Sequence, residues 1–152
     1  LITTNGIGVL SNLQKLYLAA NSLKFLENLD RMQHLVSIHL RDNQLEKLDG
    51  FSANMKLLQY LNLRGNNISD IKEVEKLKCL PLLRALVLME NPVADDDDYR
   101  IEVLITLRRL ERLDKDEYTE DERQEAEEIH EQRRQEAALA NNTMEVIADD
   151  DD

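Results

Sequence analysis

The eleven residues Leu58–Ile68, LQYLNLRGNNI, place apolar side chains at the first, fourth, sixth and eleventh positions and an asparagine at the ninth. No single helix or strand has that spacing throughout. Its middle, Leu61-x-Leu63, alternates with period two and reads as a short strand with one buried face. Asn66 follows where the chain must turn away. The same frame recurs outward in both directions: LQKLYLAANSL (Leu13–Leu23), LVSIHLRDNQL (Leu35–Leu45) and LRALVLMENPV (Leu83–Val93). The asparagines therefore fall at 21, 43, 66 and 91. Secondary positions recur as well. Leu10, Met32, Met55 and Leu80 each precede the second apolar consensus residue by the same interval.

Four units matching L-x-x-L-x-L-x-x-N-x-L identify leucine-rich repeats. The expected fold is α/β: a leucine-rich-repeat solenoid with a short parallel β-sheet on its concave face, a helical C-terminal cap and a projecting acidic helix. Each buried Leu contributes ~1.5–3 kcal/mol relative to exposure. Asn21, Asn43, Asn66 and Asn91 are expected to form a ladder, because an amide can bond backbone groups that would otherwise be buried unpaired. The expected organisation is repeats over 1–93, a helical cap over 94–114, an acidic helical extension over 115–140, and a disordered acidic tail over 141–152. Ahead of the first full repeat, Ile2, Ile7 and Leu10 keep the repeat register with no polar cap before them. Further repeats, or a partner, are expected to cover that end.

Strand alternation also selects the outward face. Lys15, Tyr17 and Ala19, then Ser37, His39 and Arg41, then Tyr60, Asn62 and Arg64, then Ala85, Val87 and Met89 should line the concave surface. Mixed aromatic, Arg and Met surfaces are typical of protein interfaces. Tyr17, His39, Arg41, Tyr60, Asn62, Arg64, Val87 and Met89 are therefore the candidate partner-binding residues. His39 has no second metal ligand beside it.

The run Asp95–Asp98 invites a calcium reading, but the sixth position from Asp95 is Arg100 and the twelfth is Thr106, where an EF-hand loop needs Gly and Glu. The alternative is a helix N-terminus. Pro92 should end the strand and turn, and the aspartates, Asp98 last, should meet the free N–H groups of a helix starting there. Tyr99, Val103, Leu107 and Leu110 recur at helical spacing and, with Leu113, should seal the last repeat. Thr119 and Glu122 form a capping box for a second helix from Glu120 to about Ala140. Its apolar positions make no continuous stripe, so it is expected to project from the solenoid.

The net charge of −12 belongs to one end of the chain. Residues 1–113 hold 15 basic and 15 acidic side chains, whereas residues 114–152 hold 4 and 16. Such a segment repels nucleic acid and anionic membranes and favours a basic protein surface. No apolar run is long enough to span a bilayer. The single cysteine, Cys79, favours a reducing compartment. Glycine-rich phosphate loops, His/Cys clusters and paired nucleophiles are missing from the sequence, so neither enzyme activity nor a metal or other cofactor is expected. His34 should lie on the variable side of the repeats and His130 on the exposed tail helix.

Two segments carry a family resemblance. Asn91–Asp114 resembles the C-terminal cap of intracellular leucine-rich-repeat proteins, a group with phosphatase regulators, spliceosomal and acidic nuclear repeat proteins, and ciliary proteins. YRIEVL (Tyr99–Leu104) together with LERLDKDEYTEDERQEAEEI (Leu110–Ile129) resembles leucine-rich-repeat proteins of ciliary radial spokes. That resemblance implies a non-catalytic scaffold whose partners are radial-spoke or axonemal proteins, located in the cytoplasm, cytoskeleton and ciliary axoneme. The alternative is a regulatory adaptor in cytosol or nucleus, phosphatase-regulator-like or of the acidic nuclear type. Residues 141–152 have no counterpart in the resemblance.

Overall fold

A computed structural model describes residues 12–150, with side chains to residue 142. The register of Ile2, Ile7 and Leu10 lies outside the described residues. Each repeat contributes one three-residue strand: β1 (Lys15–Tyr17), β2 (Ser37–His39), β3 (Tyr60–Asn62) and β4 (Ala85–Val87). They pair in parallel and in register, Leu16 beside Ile38, Leu61 and Leu86. The connections are irregular or 3-10. Leu29–Arg31 makes a short 3-10 turn in the first connection, and the longer third connection forms a nine-residue 3-10 segment, Ile71–Cys79. Drift in the repeat period is thus absorbed on the convex side, leaving the strands in register.

The consensus leucines form one continuous core. Ile38, Leu40, Leu61, Leu63, Leu86 and Leu88 are fully buried, as are Met32 and Met55 at the secondary positions. Three-residue strands leave most of each turn's backbone without a ladder partner, and buried N–H and C=O groups cannot stay unpaired cheaply. The asparagines supply the missing partners. Asn66 accepts the Leu45 N–H on Oδ1 at 3.1 Å and donates from Nδ2 to the carbonyls of Leu40 and Leu63, both at 2.9 Å. Asn43 bonds Leu23 N–H and the Leu18 and Leu40 carbonyls in the same way. Asn91 bonds Ile68 N–H and the carbonyls of Leu63 and Leu88. Asn21 donates to the Ala19 carbonyl within its own turn; the preceding turn lies outside the described residues. The residue before each asparagine is left-handed: Ala20, Asp42, Gly65 and Glu90 have φ of 56°, 60°, 73° and 62°.

The C-terminal end differs from expectation in several places. Pro92 does not end the strand, which stops at Val87; it begins a 3-10 turn, Pro92–Asp95. The helix α1 runs Tyr99–Thr106, with Asp98 at its N-cap but without a side-chain cap bond. Asp98 has φ −92° and ψ 4°, not the extended backbone that turns a capping carboxylate onto the first N–H groups. The Tyr99 N–H is taken by the Asp96 carbonyl at 3.1 Å. Asp95–Asp98 stay exposed, and their carboxylates place negative charge near the positive helix end. Leu107 is the C-cap, and Leu110 and Leu113 lie beyond α1. These two are the L-x-x-L of a truncated fifth repeat, and Leu113 closes the strand β5 (Arg112–Leu113), parallel to β4. The chain then reverses into β6 (Asp116–Glu117), the antiparallel edge of the sheet.

Asp114, at φ 58°, terminates the ladder. Its Oδ1 accepts the N–H groups of Leu88 and Met89 at 2.8 and 2.9 Å, standing in for backbone that a further repeat would offer. Its Oδ2 accepts the Tyr99 hydroxyl at 3.0 Å. Burial, then the neighbouring Asp114 charge, raises the Tyr99 pKa, so this phenol stays a donor. Beside it, the Arg100 guanidinium lies 4.2 Å from the centre of the Tyr118 ring and donates to Glu122 at 2.6 and 3.1 Å and to the Glu117 carbonyl at 2.8 Å. Thr119 and Glu122 form the reciprocal capping box, each accepting the other's N–H. Its bond to Arg100 is the main reason the Glu122 carboxyl is held down at about 2.

The second helix, α2 (Glu120–Asp150), does not project from its start. Its first four turns lie along α1. Ala126 is buried and Ile129 packs against the core. Ion pairs Arg100–Glu122 and Arg133–Glu102 join the helices, and Arg108–Glu127 ties α2 to the chain just after α1. This cover explains why Leu104 and Ile105 are buried in addition to the solenoid-facing Tyr99 and Val103. Residues 132–142 are exposed all round, and 141–150, expected to be disordered, continue the helix. Once docking has nucleated a helix, each added residue gains a backbone bond without a new nucleation cost.

Replacing Asn66 by Ala should strand the Leu45 N–H, while the Leu40 and Leu63 carbonyls keep Asn43 and Asn91 as donors. The expected loss in urea unfolding is about 2–3 kcal/mol. Asn66→Asp, nearly the same shape, should cost at least as much at neutral pH, because it sets a carboxylate against two carbonyl oxygens. Near wild-type stability for the Asp variant would contradict the donor role.

Candidate protein-binding surface

On strands this short only the middle residue points inward, so both flanking residues face the concave side. In-register pairing then stacks side chains from successive repeats into columns. One column is Lys15, Ser37, Tyr60, Ala85 and Arg112; the other is Tyr17, His39, Asn62 and Val87. The Tyr17 and His39 rings stack at 4.3 Å between centroids with 15° between planes. Tyr60, diagonal to His39, lies at 5.0 Å and 37°. Three consecutive repeats thus build a continuous ring ladder across the sheet. Tyr17, at its outer end, is 63% exposed.

Polar neighbours fix the ladder's inner end. Asn62 donates to the Tyr60 hydroxyl at 3.3 Å and accepts the Arg64 backbone N–H at 3.0 Å. Partial burial, and secondarily the Lys15 charge, lower the His39 pKa from its usual 6.5. The ring is therefore mainly neutral at pH 7.

Below the strands Ala19, Arg41, Arg64 and Met89 form a third row. Its two arginines are charge-balanced by residues that the strand pattern does not select. Arg64 pairs with Glu90 at 2.8 Å, and Arg41 with Asp42 at 3.4 Å. Glu90 and Asp42 occupy the left-handed positions before the ladder asparagines, and that backbone turn aims them at the concave rim. The Arg64 bond holds the Glu90 carboxyl below the usual carboxylate range. Val87 and Met89 are half-buried at the apolar end of the face. Beyond them the truncated repeat adds an Arg112–Glu117 pair at 3.4 Å. The signal for this extra strand was Leu110-x-x-Leu113, which also fits the tail of a helix.

The remaining sequence candidates lie elsewhere. Tyr99, Val103, Leu107, Leu110 and Leu113 are cap core; Thr119 and Glu122 start α2. His130 is half-buried beside α1 and the Ile71–Cys79 segment, because the docking of α2 brings it there. His34 is exposed. Burial raises the Cys79 thiol pKa, and its Sγ donates to the Lys76 carbonyl at 3.2 Å. A thiol so held is a poor nucleophile. The chemistry that the concave face offers is recognition: exposed preorganised rings, paired rim charges and an apolar end.

Known proteins agree with this architecture. The family described as "Leucine-rich repeat" matches residues 2–143. Leucine-rich repeat-containing protein 23 of Bos taurus is 57% identical over 114 residues, covering 75% of this chain and 33% of that protein. The Homo sapiens protein of that name is 51% identical over 119 residues, 78% of this chain and 35% of its own length. The chain thus spans about a third of the length of these curated relatives. Among solved structures, a chain of the Drosophila melanogaster SNF/U2A′ complex is similar at a TM-score of 0.60 and 22% identity, with 93% of this chain and 99% of that one covered. At that identity the likeness is one of fold.

The lowered His39 pKa fixes a direction. The unfolded chain takes up a proton near 6.5 and the folded chain only at lower pH, so folding stability falls as the pH drops through 6.5. In an NMR titration His39 should titrate below 6.5. Tyr17→Ala should move its midpoint back up, because removing the stacked ring exposes the imidazole to water. A midpoint at or above 6.5 in the wild type would contradict the packed ladder.

Proposed function

The chain belongs to the leucine-rich-repeat family, and is of the leucine-rich repeat-containing protein 23 type; on that premise we propose that it is a non-catalytic scaffold of the ciliary axoneme, a radial-spoke component that docks neighbouring proteins on its concave face. The observation that carries the scaffold reading is the ring ladder Tyr17–His39–Tyr60, open to solvent at Tyr17. Rings already ordered against one another lose little side-chain freedom on binding, so more of the contact energy reaches the complex. The Arg64–Glu90 and Arg41–Asp42 pairs supply a polar rim that sets orientation more than affinity.

The axonemal assignment rests on the resemblance of Tyr99–Leu104 and Leu110–Ile129 to radial-spoke leucine-rich-repeat proteins. Those segments contain the knot of Tyr99, Arg100, Asp114, Tyr118 and Glu122. In this reading the protein resides in the cytoplasm and cytoskeleton, in the axoneme of cilia and flagella. Its acidic α2 meets basic surfaces of its neighbours. Family members typically present surfaces instead of active sites, which supports a role without catalysis.

The test is affinity isolation of the full-length protein from ciliated cells, with cross-linking to place its neighbours, for the wild type and a Tyr17→Ala/Tyr60→Ala variant. Wild type should recover spoke components. The variant should lose at least about tenfold of that capture, since buried interface aromatics commonly contribute ~2 kcal/mol or more. Its thermal unfolding should change little. Capture of a phosphatase or of histones in place of spoke proteins would favour a regulatory adaptor, and undiminished capture by the variant would place the contact away from this face.

A further inference from the structure

One strip of surface runs against the acidity of the C-terminal end. Between the Ile71–Cys79 segment, the end of α1 and the docked half of α2 lie two adjoining clefts that share Lys78, Thr106 and Arg108. The first has an apolar floor, with Leu77, Leu80, Leu107 and Leu110 buried beneath, and the second is lined by Ile71 and the buried Ile105. Their rim is basic. Arg108 and Arg133 are already paired, with Glu127 and Glu102. Among the described residues Lys72, Lys78 and Arg109 have no ion pair, and Glu75 is the one acidic group lining the clefts that has none either.

The C-terminal end of this chain has matching chemistry. Residues 143–152, TMEVIADDDD, hold five acidic side chains and no basic one, with Met144, Val146 and Ile147 among them. Residues 143–150 are held away from the cleft of their own chain. His130 and Arg133 border the cleft, and α2 continues from them as helix to Asp150, which carries residues 143–150 ~15–25 Å further along the axis. A second copy has no such restriction. If two α2 helices cross antiparallel near Leu139, residues 145–148 of one stand beside 130–133 of the other. At that crossing Ala137, Ala138 and Ala140 are exposed and small, and Leu139 is 65% exposed, so the helices can approach closely.

We propose that the chain forms a two-fold dimer in which segment 143–152 of each copy occupies the basic, apolar-floored cleft of the other. The two-fold fills both clefts with one contact made twice, and closes the assembly at two copies. Apolar residues of the segment cover the apolar floor of the adjoining clefts while its carboxylates meet Lys72, Lys78 and Arg109. The pairs are exposed, so they set register and respond to salt, and the floor adds burial. The dimer leaves the concave sheet free.

Sedimentation velocity over a concentration series of the whole chain tests this. Wild type should show a monomer–dimer equilibrium that weakens as salt rises toward ~1 M. Lys78→Glu with Arg109→Glu should weaken the dimer roughly tenfold, and so should Asp→Asn at 149–152. Combining the cleft reversal with Asp→Lys at 149–152 should restore it. Circular dichroism should show the solenoid fold retained, since Lys78 and Arg109 are exposed. A chain that stays monomeric to ~1 mM overturns the proposal. So does a dimer indifferent to both sets of substitutions, or one that the charge exchange fails to restore.

Discussion

The structure depends on how a buried backbone is paired where regular secondary structure cannot pair it. Strands of three residues satisfy only a fraction of each turn's N–H and C=O groups, and the connections between them are irregular or 3-10. Each of Asn43, Asn66 and Asn91 therefore bonds two successive turns, accepting one N–H and donating to two carbonyls. The carbonyls of Leu40 and Leu63 receive two amides each, so the ladder is continuous. Leucine burial drives the stacking, but burial is non-directional. The amides fix the register, and register decides whether Tyr17, His39 and Tyr60 meet.

A ladder must also end. A further asparagine would require a further repeat, and the chain instead turns at Asp114, whose carboxylate accepts two backbone N–H groups and one phenol. A carboxylate suits a terminus because it only accepts, and only donors are left over there. The same turn delivers Tyr118 and Glu122 to Arg100, so the end of the sheet and the start of α2 are one cluster. α2 then covers the outer face of α1. Sealing the solenoid and presenting an acidic helix are consecutive consequences of one turn.

Much of this was legible in the sequence, for a physical reason. The repeat frame, the strands and the inward leucines follow from alternation and asparagine spacing, which are local. Position 17 stands beside 39 because equal register follows from equal frames. The missed features depend on partners distant in the chain. Arg133 of α2 reaches Glu102 of α1, Arg108 beyond α1 reaches Glu127 of α2, and neither pair has a local signature. Judged alone, α2 lacks an apolar stripe, because Ala126 and Ile129 suffice once charge pairs hold the rest. The run Asp95–Asp98 looked like a side-chain capping signal, whereas the backbone carbonyl of Asp96, just after the 3-10 turn, takes the Tyr99 N–H. β5 was hidden because Leu107, Leu110 and Leu113 fit a helix as well as a truncated repeat.

The central claim, that side-chain amides and one carboxylate carry the backbone pairing that fixes the concave face, is tested most directly by native-state hydrogen exchange. The amides of Leu23, Leu45, Ile68 and Leu88 donate to Asn43, Asn66, Asn91 and Asp114. Although none lies in a helix or strand, all four should exchange only through global unfolding, with protection equal to that of Ile38 and Leu61 in the sheet. Exchange at the rate of exposed connections, while the strand amides remain protected, would contradict the account.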